Sequence, residues 1–243
     1  MAAKKERVDV LLVRQGLVES QEMAKRLVMA GEVLCGTERV DKASQKVPVE
    51  AELKVKSRSR YVGRGGFKME GALKGFGIDP TGFVCADLGS STGGFTDCLL
   101  QHGAVRVHCV DVGTNQLAYK IRMDKRVTVR EQFNARQVSV EELGEAVDLV
   151  VMDLSFVSLT KILPAAFSIL REGGRVVALI KPQFELPKEE IGAGGIVRDQ
   201  SAHERAVAKI REFVEESGRD FVGVIDSPIT GTDGNREFLG LLR

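Results

Sequence analysis

Cys85-Ala86-Asp87-Leu88-Gly89-Ser90-Ser91-Thr92-Gly93-Gly94-Phe95 is the stretch on which the fold of this chain turns. The apolar run from Phe83 to Ala86 ends in Asp87, a glycine-rich turn follows, and a helical pattern begins at Phe95. Strand, glycine turn and helix in that order bring backbone N–H groups against a ligand with no side chain in the way. A second apolar run, Val105 to Val110, ends in Asp111. An acid closing the next strand suits a hydrogen bond to ribose hydroxyls, so the pair predicts a nucleoside-containing cofactor. No Gly-Lys-Ser/Thr phosphate loop is present, and Gly89, Gly93 and Gly94 do not keep the G-x-G-x-x-G spacing of a dinucleotide site.

Outward from this turn, apolar runs predict strands near 83–88, 105–111, 127–130, 147–153, 174–180, 220–226 and 237–242. Helical spacing predicts helices at 95–102, 160–171 and 201–217, and one leading from Phe67 to Gly75. Such alternation means α/β: a Rossmann-like, mostly parallel seven-stranded sheet with helices on both faces. Residues 185–200, with Gly192, Gly194 and Gly195, read as a mobile loop beside the site.

The N-terminal residues 1–58 read as a separate small α+β unit. Val8, Leu11, Leu12 and Leu17 have helical spacing, and Gly16 can end that helix. Ser20 can cap the next helix, with Met23, Leu27 and Val28 on its buried face. Short strands are expected around Val33-Leu34, Val40 and Leu53–Val55. Residues 59–66, basic and rich in glycine, read as a linker, and the catalytic body is expected over 67–243.

Residues 1–68 hold 15 Lys and Arg against 9 Asp and Glu, whereas the remainder holds 20 against 25. A basic module on a mildly acidic body predicts a polyanion partner. Four cysteines, at 35, 85, 98 and 109, form no C-x-x-C pair and read as reduced thiols of a cytoplasmic protein, with no disulfide and no metal site. His102, His108 and His203 lack ligand spacing and read as surface or packing residues. No signal-peptide pattern opens the chain, and no apolar run approaches the roughly 20 residues that span a bilayer.

Ligands in an open α/β sheet sit outside the carboxyl ends of the strands. Those ends are Gly89, Asp111, Asn134, Asp153 and Lys181, with Lys68 on a helix before the first strand and Glu237 before the last. Asp153 and Lys181 terminate strongly apolar runs, where a charge sits at a cleft rim or is paired. Glu185 is either a further site residue or the start of the loop.

The Asp87-Leu-Gly opening resembles motif I of the S-adenosylmethionine-dependent methyltransferases. Arg7, Ser20-Gln21-x-x-Ala24 and Leu27-x-x-x-Gly31-x-Val33, then Val40 and Val47, resemble the S4 RNA-binding domain, although Gln21 stands where that family often has arginine. Lys68, Asp153, Lys181 and Glu237 resemble the Lys-Asp-Lys-Glu tetrad of the FtsJ-like ribose 2′-O-methyltransferases. With Tyr61–Lys68, Asp153-Leu-Ser-Phe156, Lys181-Pro-Gln-Phe-Glu185 and Gly234-Asn-Arg-Glu237, the whole chain resembles the TlyA family, historically called hemolysin A.

The resemblance implies methyl transfer from S-adenosylmethionine to the 2′-hydroxyl of cytidine in ribosomal RNA, free or in a ribosomal subunit. It implies Lys68, Asp153, Lys181 and Glu237 as catalytic residues. The cofactor residues would be Asp87, Gly89, Ser90, Gly93, Gly94, Phe95, Asp111, Asn134 and Asp153. RNA would be held by Arg7, Arg14, Lys25, Arg26, Arg58, Arg60 and Arg64. A lysine of ordinary pKa, about 10.4, is protonated at neutral pH, and a second lysine with partial burial favours loss of one proton. Lys181 is accordingly expected to deprotonate the hydroxyl, oriented by Asp153, while Lys68 and Glu237 hold the ribose.

Neither an Asp/Asn-Pro-Pro-Tyr/Phe amine-methylation motif nor a well-placed cysteine nucleophile is present. Two rivals remain: a membrane-active cytolysin, which would need an amphipathic or spanning segment, and an RNA-binding protein with a degenerate methyltransferase body. Members of the resembled family that modify both ribosomal subunits tend to carry an extra C-terminal helix; this chain stops shortly after Glu237, so the resemblance implies a single target, cytidine in large-subunit RNA.

Overall fold

The computed structural model describes residues 4–55 and 59–243. The chain divides into two units, one ending at Ser59 and one beginning at Arg60. Each has its own core.

The N-terminal unit comprises β1 (Lys5–Arg7), α1 (Val8–Arg14), α2 (Gln21–Met29), β2 (Val33–Cys35), β3 (Glu38–Arg39), β4 (Lys46–Pro48) and β5 (Leu53–Val55). β3, β2 and β5 form an antiparallel sheet, and β1 pairs with β4. Ser20 caps α2, its Oγ accepting the Met23 N–H at 3.2 Å. Val8, Leu11 and Leu12 of α1 meet Ala24, Leu27 and Val28 of α2 over Val33, Val40, Val47 and Leu53. Leu17 and Met23, expected in this core, are exposed instead. The face that α2 buries is the Ala24–Leu27–Val28 stripe, and Met23 lies a quarter-turn outside it.

The second unit comprises α3 (Gly65–Phe76), β6 (Val84–Leu88), α4 (Gly94–Gln101), β7 (Arg106–Val110), α5 (Tyr119–Arg122), β8 (Val127–Arg130), α6 (Val140–Leu143) and β9 (Val147–Met152). It continues with α7 (Leu163–Ser168), β10 (Leu170–Ile180), α8 (Pro182–Glu185), α9 (Gln200–Glu216), β11 (Phe221–Asp226) and β12 (Phe238–Leu242). The seven strands lie in the order β11-β12-β10-β9-β6-β7-β8. All are parallel except β12, which is antiparallel to both its neighbours. Apolar side chains from the two sheet faces enter two separate clusters, one around Val150, Met152 and Ile180, the other around Leu149, Val151 and Leu179. Neighbouring strand residues point to opposite faces, so these central strands are apolar throughout.

Three expectations need correction. The helix predicted over 160–171 ends at Ser168, and β10 begins already at Leu170. Its register against β9 slips between Leu170 and Arg175, so the Gly173-Gly174 pair bends a strand and does not separate a helix from one. The segment 59–66 is not a free linker. Tyr61 is fully buried in the second unit's core, Val62 donates its N–H to Asp97 at 2.9 Å, and Gly65 and Gly66 already belong to α3. The stretch 185–200 is structured: it holds the end of α8 and two 3-10 turns, Lys188–Glu190 and Ala193–Gly195. The buried Asn235 ties it down, accepting the Val197 N–H and donating to the Gly195 carbonyl.

Candidate active site

The carboxyl edge of the parallel strands collects the chemistry. β6 ends near Asp87, β9 releases Asp153, and β10 releases Lys181. Because β12 runs the other way, its first residue, Phe238, pairs with Ile180, the last residue of β10. Glu237 therefore arrives at the same edge although it precedes its strand. Lys68 comes from α3.

These four side chains form one line of ion pairs. Lys68 Nζ lies 2.6 Å from Glu237 Oε2 and 3.8 Å from Asp153 Oδ2. Lys181 Nζ lies 2.6 Å from Asp153 Oδ1 and donates to Ser155 Oγ at 3.0 Å. Lys68, Lys181 and Glu237 are buried and Asp153 is half-buried. Two cations against two carboxylates leave no net charge, the condition under which buried ions are tolerated.

A cavity of about 520 Å³ opens onto all four. Gly89, Ser90, Thr92, Gly94 and Phe95 of the glycine turn form another part of its wall. Asp87 lies beneath, fully buried, its Oδ2 accepting the Thr96 N–H at 3.1 Å and the Thr96 hydroxyl at 2.6 Å. Its Oδ1 has no partner, and burial pushes the carboxyl up to about 7 despite the two donors. A buried acid with one orphaned oxygen fits a cationic ligand in the cavity above it.

Three other expected cofactor residues, Gly93, Asp111 and Asn134, are not part of the cavity lining. Gly93 takes φ +89°, and a Cβ there would meet Leu117 at 2.8 Å, so this glycine serves the packing of α5 against the turn. Asp111 accepts the N–H groups of Ser91 and Gly113 at 2.8 and 2.7 Å, bracing the turn from the next strand. Asn134 stands away from the cavity lining and caps a 3-10 turn through the Arg136 N–H.

Among the expected RNA contacts, Arg7 is held by both oxygens of the buried Asp9, and Arg14 pairs with Glu6 at 2.7 Å. Lys25 and Arg26 lie exposed on α2. Arg60 pairs with Glu70, and Arg64 donates to the Thr230 carbonyl at 2.5 Å on the cavity wall. Arg58 lies outside the described residues. His108 and His203 are buried packing residues, and all four cysteines are free.

The loop after β9 supplies residues to which sequence reasoning gave no role. Ser155 and Phe156 both line the cavity. Phe156 is 91 % exposed, takes φ +63°, and its ring lies 5.2 Å from that of Phe184. A bulky residue in the left-handed region is an outlier that surrounding structure must enforce. The signal was present in Asp153-Leu-Ser-Phe156, which continues a strand end into the cleft. Glu185 is buried; it accepts the Ser158 hydroxyl at 2.5 Å and the Leu159 N–H at 2.8 Å. Burial raises its carboxyl above the ordinary range, against the pull of those two donors.

Residues 61–243 match the FtsJ-like methyltransferase family, and residues 6–53 match the S4 domain. The 16S/23S rRNA (cytidine-2′-O)-methyltransferase TlyA of Mycobacterium tuberculosis is 43% identical over 99% of this chain and 91% of its own length. The 23S rRNA (cytidine-2′-O)-methyltransferase TlyA of Campylobacter jejuni is 32% identical over 73% of this chain and 69% of its own. A solved structure from Streptococcus thermophilus, named only as a candidate hemolysin, is 48% identical with a TM-score of 0.74, covering 99% of this chain and 89% of that one. With the strand order, the cleft and the order of its motifs all in agreement, the chain is a member of the FtsJ-like methyltransferase family, bearing an S4 domain in its N-terminal unit.

Proposed function

We propose that this protein transfers a methyl group from S-adenosylmethionine to the 2′-hydroxyl of a cytidine in ribosomal RNA, with large-subunit RNA as its target. The observation that carries the reading is the ion-pair line Glu237–Lys68–Asp153–Lys181 along one cavity that also meets the glycine turn. The names of the two relatives support cytidine as the nucleoside and share 23S RNA as a substrate.

When bound, S-adenosylmethionine supplies a methyl carbon activated by a positively charged sulfur. Gly89, Ser90, Gly94 and Phe95 would hold it, with the Asp87 carboxylate favouring its positive charge. Lys181 first gives its own proton to solvent and, as the neutral amine, takes the proton of the ribose hydroxyl. Its amine has two acceptors, Asp153 Oδ1 and Ser155 Oγ, and donating to both leaves its remaining position for the incoming hydroxyl. Asp153 orients Lys181 and faces Lys68 on its other oxygen. Lys68 and Glu237 hold the ribose, their two charges cancelling, and the proton that Lys181 gains is balanced by Asp153. Phe156 at the cavity rim offers a bare ring on which an extruded base stacks. The S4 unit supplies contacts to phosphate and RNA shape.

The name of the Streptococcus thermophilus structure raises membrane lysis as a second reading. No helix among the described residues is long and apolar enough to cross a membrane.

The test is mass mapping of ribosomal RNA after purified large and small subunits are incubated separately with enzyme and cofactor. A ribose methyl on a cytidine of the large subunit is expected. Methylation on a base, or none in either subunit, overturns the reading. Asp153→Ala and Lys181→Ala should each leave less than about a tenth of the rate, a loss above roughly 1.4 kcal/mol of transition-state stabilisation.

A further inference from the structure

The loop from Asp153 to Val157 carries three groups that face Lys181 or the substrate side of the cavity: Asp153, Ser155 and Phe156. At its start the loop is fixed by β9, with the Asp153 N–H donating to the Leu88 carbonyl at 3.3 Å. In between, Phe156 is held at φ +63° although it is exposed and has little packing of its own beyond Phe184. Leu154 and Val157 on either side of it pack against the apolar core, and the loop has a second, polar anchor at its far end.

That far end is Ser158-Leu159, and both residues are bound by a single carboxylate. Glu185 accepts the Ser158 hydroxyl on Oε2 at 2.5 Å and the Leu159 N–H on Oε1 at 2.8 Å. Glu185 is only 3% exposed and closes α8, the short helix that starts immediately after Lys181. Lys209 of α9 secures it from behind, donating to the Glu185 carbonyl at 2.6 Å with its Nζ 3.5 Å from Oε2. One side chain on the short helix that follows the base thus holds the far end of the loop that surrounds the base.

We infer that Glu185 is a positioning residue for methyl transfer, holding Asp153 and Ser155 on Lys181 and holding Phe156 in its left-handed conformation. It touches neither the ribose nor the cofactor; it acts through the loop. The inference rests on the reading of Lys181 as the base. The glycine turn, Gly89 to Phe95, is fixed by Asp87 and Asp111 and does not depend on Glu185. Loss of the clamp should therefore lower kcat and spare cofactor affinity. Glutamine can replace the clamp in part. Its carbonyl accepts the Leu159 N–H, and the Ser158 hydroxyl can turn to accept from its amide.

The test compares Glu185→Ala, Glu185→Gln and Ser158→Ala in the full-length chain. Steady-state methylation of ribosomal subunits gives kcat and KM, and calorimetric titration with S-adenosylmethionine gives the fraction of competent sites. Per competent site, Glu185→Ala should lose 10- to 100-fold in kcat, with the KM for cofactor within threefold. Glu185→Gln should recover to within about fivefold of wild type. Ser158→Ala, which removes the hydroxyl's bonds to Glu185 and Thr160 and leaves the Leu159 contact, keeps the test open if Glu185→Ala does not fold; it should lose threefold or more in kcat alone. Three results overturn the inference: a kcat for Glu185→Ala or Ser158→Ala within twofold of wild type, a Glu185→Gln no faster than Glu185→Ala, or a loss that appears equally in cofactor affinity. Lys181→Ala, run in parallel, separates the two claims. If it stays active, the base assignment fails; if it is inactive while Glu185→Ala and Ser158→Ala are normal, only the clamp fails.

Discussion

Asp87 is a residue whose hydrogen bonds and burial pull its charge in opposite directions. Two donors from Thr96 favour its ionised form, while complete burial and an orphaned Oδ1 oppose it, and burial wins, raising the carboxyl to about 7. A carboxyl raised on folding makes the native state bind more protons than the unfolded chain. Its contribution to stability is complete below about pH 4 and is lost as pH rises towards 7. A cationic ligand reverses the preference. In the wild-type protein, affinity for S-adenosylmethionine should therefore rise as pH is raised through about 7, whereas Asp87→Asn should bind more weakly with a flatter profile. Calorimetric titrations between pH 5.5 and 8 read this directly, and parallel profiles for the two proteins would remove Asp87 from the cofactor site. Phe156 carries the other local conflict. Its left-handed φ costs about 1–2 kcal/mol for a residue with a side chain, and its exposed ring returns little packing. Phe156→Gly should leave the thermal midpoint unchanged or higher and lower kcat/KM for RNA by about 10- to 100-fold, the worth of one base–aromatic stack of about 1–3 kcal/mol. An unchanged kcat/KM would mean the ring is not a base platform.

Among the elements, α3 and α4 meet more closely than ordinary helices can. A Cβ on Gly94 would lie 2.9 Å from the Gly66 nitrogen and 3.2 Å from the Gly65 Cα, and one on Gly63 would meet Thr92 Oγ1 at 2.6 Å. This backbone-on-backbone contact sets the distance from the glycine turn to Lys68, one helical turn further along α3. Gly94→Ala forces the helix ends apart and should cost about 1–3 kcal/mol of stability, the usual range for overpacking. It should also lower the methylation rate more than Gly77→Ala, where no atom lies within 4 Å of the added carbon but φ is +62°. Thermal melts and initial rates on the two variants make the comparison, and equal losses of rate would mean that the close contact does not position Lys68. The same contact explains a limit of the sequence. The central strands were legible because apolar runs ended in charges, and Asp153 and Lys181 were legible as charges at those ends, while Lys68 and Glu237, which precede the first and last strands, joined them through the resemblance to the tetrad. The segment 59–66 was misread because glycines that permit close approach look, in composition, like glycines that permit flexibility. Only the burial of Tyr61 separates the two cases. Asn134 caps a 3-10 turn, a role its sequence position did not announce, because a polar residue after a strand can cap a turn as readily as it can meet a ligand. The clamp by Glu185 was invisible because its partners lie 26 and 27 positions away along the chain.

At the scale of the whole molecule, the proposed function divides recognition and chemistry between the two units, and their separate cores make that division testable. The body from Arg60 onward contains the whole seven-stranded sheet, both apolar clusters and every member of the ion-pair line. A chain lacking residues 1–59 should fold, melt cooperatively and bind S-adenosylmethionine as the full chain does, yet bind RNA at least tenfold more weakly. Within the first unit the charges are not equivalent. Arg7 and Arg14 are engaged by Asp9 and Glu6, so a phosphate must compete with a carboxylate for either. Lys25 and Arg26 stand exposed side by side in sequence on α2. Each phosphate contact releases counterions and steepens the dependence of log K on log salt by about 0.7–0.9. The double substitution Lys25→Ala with Arg26→Ala should therefore weaken RNA binding, flatten that slope by about 1.4–1.8, and leave cofactor affinity untouched. Arg14→Ala should do less on both counts. Filter binding of ribosomal RNA across a salt series measures affinity and slope together. If the double variant keeps the wild-type slope, α2 is not a phosphate-facing element, and the S4 unit must read RNA through another of its surfaces.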